Sequence, residues 1–152
     1  DFHQQVSEHG SHIRIIEVDS PRSLARQLLK LEREYSDVHQ ITFALVRAHG
    51  GEEEVQLGNK YGQTLSKKRI GRVGPENLKR FFVGHPNIVF DSCSVGAYDG
   101  LAEAVASVLD GTAQGPEDIS HGIEKIEVSG EGEHLTFSVT LRDGGKMNMH
   151  SK

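Results

Sequence analysis

The stretch at residues 87–96, NIVFDSCSVG, contains an apolar run that changes abruptly into polar residues. The run IVF at 88–90 has the β-branched and aromatic side chains of a buried strand. The sequence DSCS follows at once and includes Cys93, the only cysteine of the chain. A strand therefore ends beside a thiol, and open parallel sheets bind their ligands at the carboxyl ends of the strands.

A second buried strand is predicted at residues 40–48, QITFALVRA, where the run ends in His49-Gly50-Gly51. Before it, HIRIIEV at 12–18 has the β-branched density of a strand. The sequence DSP at 19–21 offers a helix N-cap followed by proline at the first helical position. Leucines at helical spacing then predict an amphipathic helix from residue 22 to about residue 35. The order strand, helix, strand predicts parallel strands joined by a crossover helix.

The middle of the chain continues this alternation after a polar interruption. Residues 52–74 are charged and Gly-rich, which predicts short strands at EVQLG (54–58) and TLSKKRIG (64–71), or a flap hairpin, off the main sheet and with few buried contacts. The sequences PENLKRFF at 75–82 and GLAEAVASVL at 100–109 predict helices. The sequence GPED at 115–118 predicts a turn.

The last part of the chain has a different periodicity. Apolar and polar residues alternate at 123–128, at 134–141 and in the final KMNM, with glycines between the runs. This pattern predicts antiparallel strands that finish the sheet. The whole order predicts an α/β fold with a mostly parallel sheet, helices on both faces and an antiparallel C-terminal extension.

The composition limits the class of protein. The chain has 152 residues, 36% of them hydrophobic and 26% charged, which is the size of one domain spanning residues 1–152. Because the sequence begins at Asp1 rather than Met, we expect a processed or excised piece of a longer chain, and its cellular location stays open. No apolar run approaches the roughly 20 residues of a membrane-spanning helix.

Charge and cysteine content narrow the partners. A net charge of -5 argues against a nucleic-acid-binding module, which is usually basic. A single cysteine excludes an internal disulfide and a cysteine zinc cluster, and we expect neither a metal nor a cofactor. Small molecules or proteins are therefore the expected partners, and either a dimer or the larger parent chain is the expected assembly.

His49 and Cys93 follow two strands that would be near neighbours in a parallel sheet. A cysteine thiolate is a nucleophile, and a nearby imidazole both favours that form and later protonates a leaving amine. Gly50 has no Cβ, so a substrate carbonyl can approach a backbone N–H that stabilises the oxyanion. The alternative is an inert Cys93, because a free cysteine often behaves as a small buried hydrophobic residue.

The AHG that ends one strand and the FDSCSVG that ends a later one resemble the caspase-like cysteine peptidases, which include metacaspases, gingipains and self-cleaving toxin protease domains. The resemblance is topological over about residues 13–109 and specific only at His49-Gly50 and 91–96. Within these motifs, SV stands where metacaspases have His and Ser, and RA replaces smaller residues before His-Gly. The resemblance implies a caspase-like sandwich, Cys93 as the nucleophile, His49 as the general acid and base, and the N–H groups of Gly50 and Cys93 as the oxyanion hole.

The same resemblance implies that Asp91 binds substrate. In metacaspases the acid two residues before the nucleophile selects Arg or Lys, which implies cleavage after a basic residue. Ser92 and Asp19 are also expected at the substrate, Asp19 as a second acid at the same edge of the sheet. The alternative for Asp91 is the cap of a turn, with an apolar primary pocket as in the toxin domains.

A group of basic residues between positions 67 and 80 has two explanations. In the toxin protease domains basic residues bind inositol hexakisphosphate, which implies an anionic regulator. A solvated surface is favoured, because acidic residues at 52–54 and 76 balance the charge. The basic residues are Lys67, Lys68, Arg69, Arg72, Lys79 and Arg80.

We therefore expect a cysteine endopeptidase that acts on a protein or peptide substrate, and two rival functions stay open. The first is a catalytically inactive domain of the same fold that serves protein–protein interaction. The second is a small α/β binding module in which Gly50-Gly51 and Asp91 hold a ligand or a cation.

Overall fold

Helices and strands alternate along the chain. The computed structural model describes residues 4–5, 14–35, 40–58, 62–130 and 135–152. The elements with defined bounds are, in chain order, α1 Pro21–Tyr35, β1 Ile41–Arg47, β2 His49–Gly50, β3 Glu54–Gln56, β4 Thr64–Ser66, α2 Lys67–Val73, α3 Pro75–Leu78, a 3-10 turn Lys79–Phe81, β5 Phe82–Asp91, α4 Leu101–Leu109, β6 Thr112–Pro116, β7 Ile123–Ser129, β8 Thr136–Leu141, a second 3-10 turn Arg142–Gly144 and β9 Met147–Ser151.

The N-terminus of α1 lies where the sequence predicts it. The Ser20 hydroxyl accepts a hydrogen bond from the Ser23 N–H at 3.0 Å, and the Ser23 hydroxyl accepts one from the Ser20 N–H at 3.1 Å. This reciprocal pair is a capping box with serine in place of the usual Glu or Gln. The predicted cap, start and end of this helix are therefore confirmed.

Four strands form the main sheet, in the order β1-β5-β6-β9. β1, β5 and β6 run parallel, and β9 pairs antiparallel with β6. The strands predicted at 40–48 and 87–90 are thus adjacent and parallel, and the mostly parallel α/β sheet is confirmed. β6 is absent from the sequence prediction, because its Gly115 and Pro116 have the composition of a turn.

The sheet separates two apolar clusters, and successive side chains point to opposite clusters. On one face, Ile88 and Phe90 of β5 pack with apolar residues of α1, α2, α3 and α4. On the other face, Val89 packs with Ile126 of β7 and Phe137 of β8. The prediction of helices on both faces is therefore wrong for the elements defined above. The second face is covered by strands, because the apolar side of β7 and β8 needs the sheet as its partner.

The C-terminal strands follow the prediction only in part. β9 extends the main sheet as an antiparallel strand, whereas β7 and β8 pair with each other in a separate sheet. The alternation of apolar residues identifies a half-buried strand, but it does not specify which sheet the strand joins.

β2, β3 and β4 form a small antiparallel sheet beside the main one, as the predicted flap hairpin requires. The expectation of few buried contacts in 52–74 is wrong, because Val55, Leu57 and Ile70 are buried in the helix-side cluster. The strand predicted after Thr64 also ends early. The Ser66 hydroxyl accepts a hydrogen bond from Arg69 N–H at 3.0 Å, and this N-cap starts α2.

The strand predicted at 12–18 is wrong over its described part. Residues 14–18 form no strand, and Ile15 is 81% exposed; residues 12 and 13 lie outside the described residues. Val18 nevertheless packs against the helix-side cluster, and the Arg14 guanidinium lies 4.9 Å from the centre of the Tyr35 ring. The β-branched composition favours extended backbone, but it supplies no hydrogen-bonded neighbour.

Candidate functional site

Two neighbouring strands end at the candidate site. β1 and β5 are parallel, and their last residues, Arg47 and Asp91, are partners in the register. The chain continues from β1 to His49 and Gly50, and from β5 to Ser92 and Cys93. The topology therefore directs both predicted catalytic segments to one edge of the sheet.

Gly50 lies directly against the backbone of the second segment. A Cβ added to Gly50 would lie 2.9 Å from the Cys93 carbonyl oxygen and 2.9 Å from the Ser92 Cβ. Both distances are shorter than real Cβ contacts, so this position accepts only glycine without a shift of the backbone. His49 immediately precedes this contact and is exposed. The structure thus brings the segments of His49 and Cys93 together.

The hairpin pairing fixes the direction of the Gly50 N–H. The Gly51 N–H donates to the Glu54 carbonyl at 2.9 Å, which makes these two residues a hydrogen-bonded pair of the β2-β3 hairpin. Hydrogen-bonded and non-bonded pairs alternate in antiparallel strands, so the pair Gly50 and Val55 is non-bonded. The N–H of Gly50 therefore points away from β3.

The thiol of Cys93 has a partner that the sequence analysis misses. The Cys93 Sγ lies 3.6 Å from the Ser120 carbonyl oxygen, to which it donates, and 3.4 Å from the Ser120 N–H nitrogen, from which it accepts. No hydrogen bond joins the thiol to His49 in the described part of the chain. Because Ser120 contributes only its backbone, no residue type in the sequence signals this contact.

A tight turn after Cys93 holds the thiol in place. Ser94 has a φ of 62°, a left-handed conformation that costs a residue with a Cβ about 1 kcal/mol. Its N–H donates to the Asp118 carbonyl at 3.0 Å, and the Gly96 N–H donates to the Pro116 carbonyl at 2.9 Å. A Cβ at Gly96 would lie 1.9 Å from the Gly115 carbonyl oxygen. The turn is therefore packed backbone to backbone against the end of β6.

Ser92 carries an unsatisfied polar group inside this arrangement. Its side chain is 4% exposed, and its hydroxyl has no hydrogen-bond partner among the described residues. Burial of a hydroxyl without a partner costs about 1–3 kcal/mol. The role of Ser92 at the substrate stays a prediction.

Asp91 forms an ion pair within the chain. The Arg47 Nε lies 3.3 Å from the Asp91 Oδ2, and the two side chains are 70% and 18% exposed, respectively. The pair joins the ends of β1 and β5 beside the catalytic segments. The carboxylate is thus close to the site and already holds a guanidinium.

Asp19 lies just before α1 and is exposed. Its N–H donates to the Ser23 hydroxyl at 3.0 Å, so its backbone belongs to the start of α1. Gly58, which has a φ of 78°, packs closely against Asp19. A Cβ added to Gly58 would lie 2.9 Å from the Asp19 Cα. No hydrogen bond or ion pair joins Asp19 to Asp91 or Cys93 in the described residues.

Half of the basic cluster is neutralised by acidic neighbours. Lys67 lies 3.0 Å from the Asp99 carboxylate, and that hydrogen bond raises the pKa of the lysine. Arg80 forms a two-point hydrogen bond with Glu32, which lowers the pKa of the glutamate. Lys79 lies 3.9 Å from Asp110. These pairs favour the solvated surface over an anion site.

The described residues contain no group of three or more His, Cys, Asp or Glu side chains arranged to hold a metal ion. None of the described helices combines the length and the apolar composition needed to cross a membrane. No family model, curated protein or solved structure matches this chain.

Proposed function

We propose that this chain is a cysteine endopeptidase with a caspase-like arrangement of its strands. The observation that carries the proposal is the contact of Gly50 with Ser92 and the Cys93 backbone, which sets the His49-Gly50 segment beside the Ser92-Cys93 segment at the ends of two parallel strands. Acyl transfer by a cysteine requires a base such as histidine near the thiol.

The proposed chemistry is acyl transfer through Cys93. His49 takes the proton of the Cys93 thiol, and the thiolate attacks the carbonyl carbon of the scissile peptide bond. The N–H groups of Gly50 and Cys93 donate to the resulting oxyanion, and the direction of the Gly50 N–H away from β3 supports this role. The imidazolium then gives its proton to the leaving amine, and water hydrolyses the thioester to release the acid and regenerate the thiol.

The proposed substrate has a basic residue before the scissile bond. Asp91 lies next to Ser92 and Cys93, and its side chain is largely shielded from solvent. A shielded carboxylate pairs strongly with a guanidinium or an ammonium group. The existing pair with Arg47 supports this preference, because the carboxylate is already oriented toward a guanidinium. A substrate Arg or Lys would take the place of Arg47.

Mutation of the two catalytic residues tests the proposal. Cys93→Ala and His49→Ala are each expected to abolish peptide hydrolysis, and the double variant is expected to be no worse than either, because the two residues act as a unit. His85→Ala is the control, since His85 is exposed on β5 and contacts the Thr112 hydroxyl at 2.9 Å. Hydrolysis by Cys93→Ala at the rate of the unaltered chain would end the proposal.

A second candidate is a catalytically inactive domain that binds another protein. The bond of the thiol to Ser120, rather than to His49, favours this reading. Labelling by a thiol reagent at neutral pH separates the two functions. A rate that falls in His49→Ala supports the enzyme, and a rate that is unchanged by the substitution supports the binding domain.

A further inference from the structure

We propose that residues 117–122, which we call the strap, close the site. The strap backbone binds the Cys93 thiol and thereby fills the position that a substrate backbone needs. This inference rests on the proposed peptidase function, and it adds the regulation of the same site. The sequence of the strap is EDISHG. The site is then open only when the centre of the strap has moved away from the sulfur.

The contact between the strap and the thiol has the form of backbone pairing. Both polar backbone groups of Ser120 are directed at one sulfur atom, with the N–H at 3.4 Å and the carbonyl oxygen at 3.6 Å. An extended peptide presents the N–H and the C=O of one residue to the same side, as in a strand. A peptide that approaches Cys93 for cleavage has to place its own backbone at the same sulfur.

The strap is held at its ends and exposed at its centre. The Glu117 N–H donates to the Lys146 carbonyl at 2.9 Å, and the Gly122 carbonyl accepts from the Arg142 N–H at 3.0 Å. Between these anchors, Ile119 is 76% exposed. The Asp118 carbonyl also accepts from the Ser94 N–H at 3.0 Å, and the His121 ring lies 3.7 Å from the Asp143 carboxylate. The bonds of Ile119 and Ser120 are local or go to Cys93, so this centre can lift while the flanking residues stay in place.

The contact of the strap with the thiol is a hydrogen bond to a carbonyl oxygen, with the Sγ 3.6 Å from the Ser120 oxygen. Hydrogen bonds to a carbonyl oxygen favour the plane of that carbonyl, whereas attack on the carbonyl carbon requires approach from above this plane. The strap is therefore proposed as an occupant of the thiol and not as its substrate.

The rate at which iodoacetamide alkylates Cys93 measures how far the strap shields the thiol, and it does so without requiring peptide hydrolysis. Ser120→Pro removes the N–H that donates to the sulfur, and we expect labelling to become about fivefold faster, the effect of one weak hydrogen bond. Ser120→Ala is the matched control, because it keeps both backbone groups, and its rate is expected to stay close to that of the unaltered chain. A variant with glycine at positions 119–121 is expected to label faster as well.

The outcomes separate the strap from the peptidase. Faster labelling without any peptide hydrolysis supports the strap and rejects the proposed function. Unchanged labelling in both the proline and the triple-glycine variants overturns the strap, even if the chain cleaves peptides. A cut between Ser120 and His121, seen as two fragments by intact mass and lost in Cys93→Ala, also overturns it, because the segment would then be a substrate.

Discussion

At the scale of single residues, two predicted catalytic positions come close because of a residue that has no side chain. The pattern of apolar runs is sufficient to predict that His49 and Cys93 follow neighbouring parallel strands. The direct contact of Gly50 with Cys93 is a property of three-dimensional packing, and only its glycine identity is visible in the sequence. The thiol's bond to Ser120 could not be predicted, because backbone groups are the same for every residue other than proline.

A comparison of two adjacent glycines tests this contact. Gly50→Ala is expected to lower the free energy of unfolding by about 1–3 kcal/mol, because the added methyl group meets the Cys93 carbonyl and the Ser92 side chain. Gly51→Ala is the control, since nothing lies within 4 Å of its added Cβ. Urea denaturation measures both. Equal effects of the two substitutions would show that the contact is unimportant.

The ion pair of Arg47 with Asp91 leads to a prediction about selectivity. If a substrate guanidinium has to replace Arg47, then Arg47→Gln removes a competitor, and KM for a peptide with Arg before the scissile bond is expected to fall about threefold to tenfold. A matched peptide with Leu at that position is the control, and its KM is expected to change little. A rise in KM for the Arg peptide alone would contradict the assignment of Asp91.

At the scale of elements, local signals are the most reliable. The cap and leucine spacing of α1 and the composition of α4 are visible in the sequence, and both helices form where predicted. The elements that the sequence analysis predicts wrongly are those in which one local sequence signal points to a different structure from another. Gly115 and Pro116 suggest a turn but end β6, and Ser66 starts a helix within an apparent strand.

The strands β7 and β8 cover one face of the main sheet, and weakening this cover is expected to lower the free energy of unfolding. Phe137 is buried, and its ring stacks on Phe43 of β1 with the centroids 4.3 Å apart. Phe137→Ala is expected to lower the free energy of unfolding by about 3–5 kcal/mol, as for other buried aromatic residues. Tyr98→Ala is the control, because Tyr98 is exposed, and its effect is expected to be within about 0.5 kcal/mol. A small effect at both positions in urea denaturation would mean that the cover does not stabilise the sheet.

At the scale of the whole molecule, the sheet is predictable and its surroundings are not. β1 and β5 are apolar on both sides, which requires a cover for each face, but apolar surface does not specify whether a helix or a strand supplies it. The order of β7 and β8 after β6 is compatible with either a longer sheet or a separate one. Their placement follows from the shape of the second cluster, which involves residues far apart in the sequence.

Side chains of β9, the last strand of the sheet, also contact the turn that follows Cys93. The Asn148 amide donates to the Gly96 carbonyl at 3.0 Å, and the His150 Nε2 lies 3.0 Å from the same oxygen. Met149 stands between these two residues and points its side chain largely into solvent. A fluorine probe or spin label at this position would lie on a strand in direct contact with the turn, and it would report spectroscopically on rearrangements around the cysteine without touching the reaction itself.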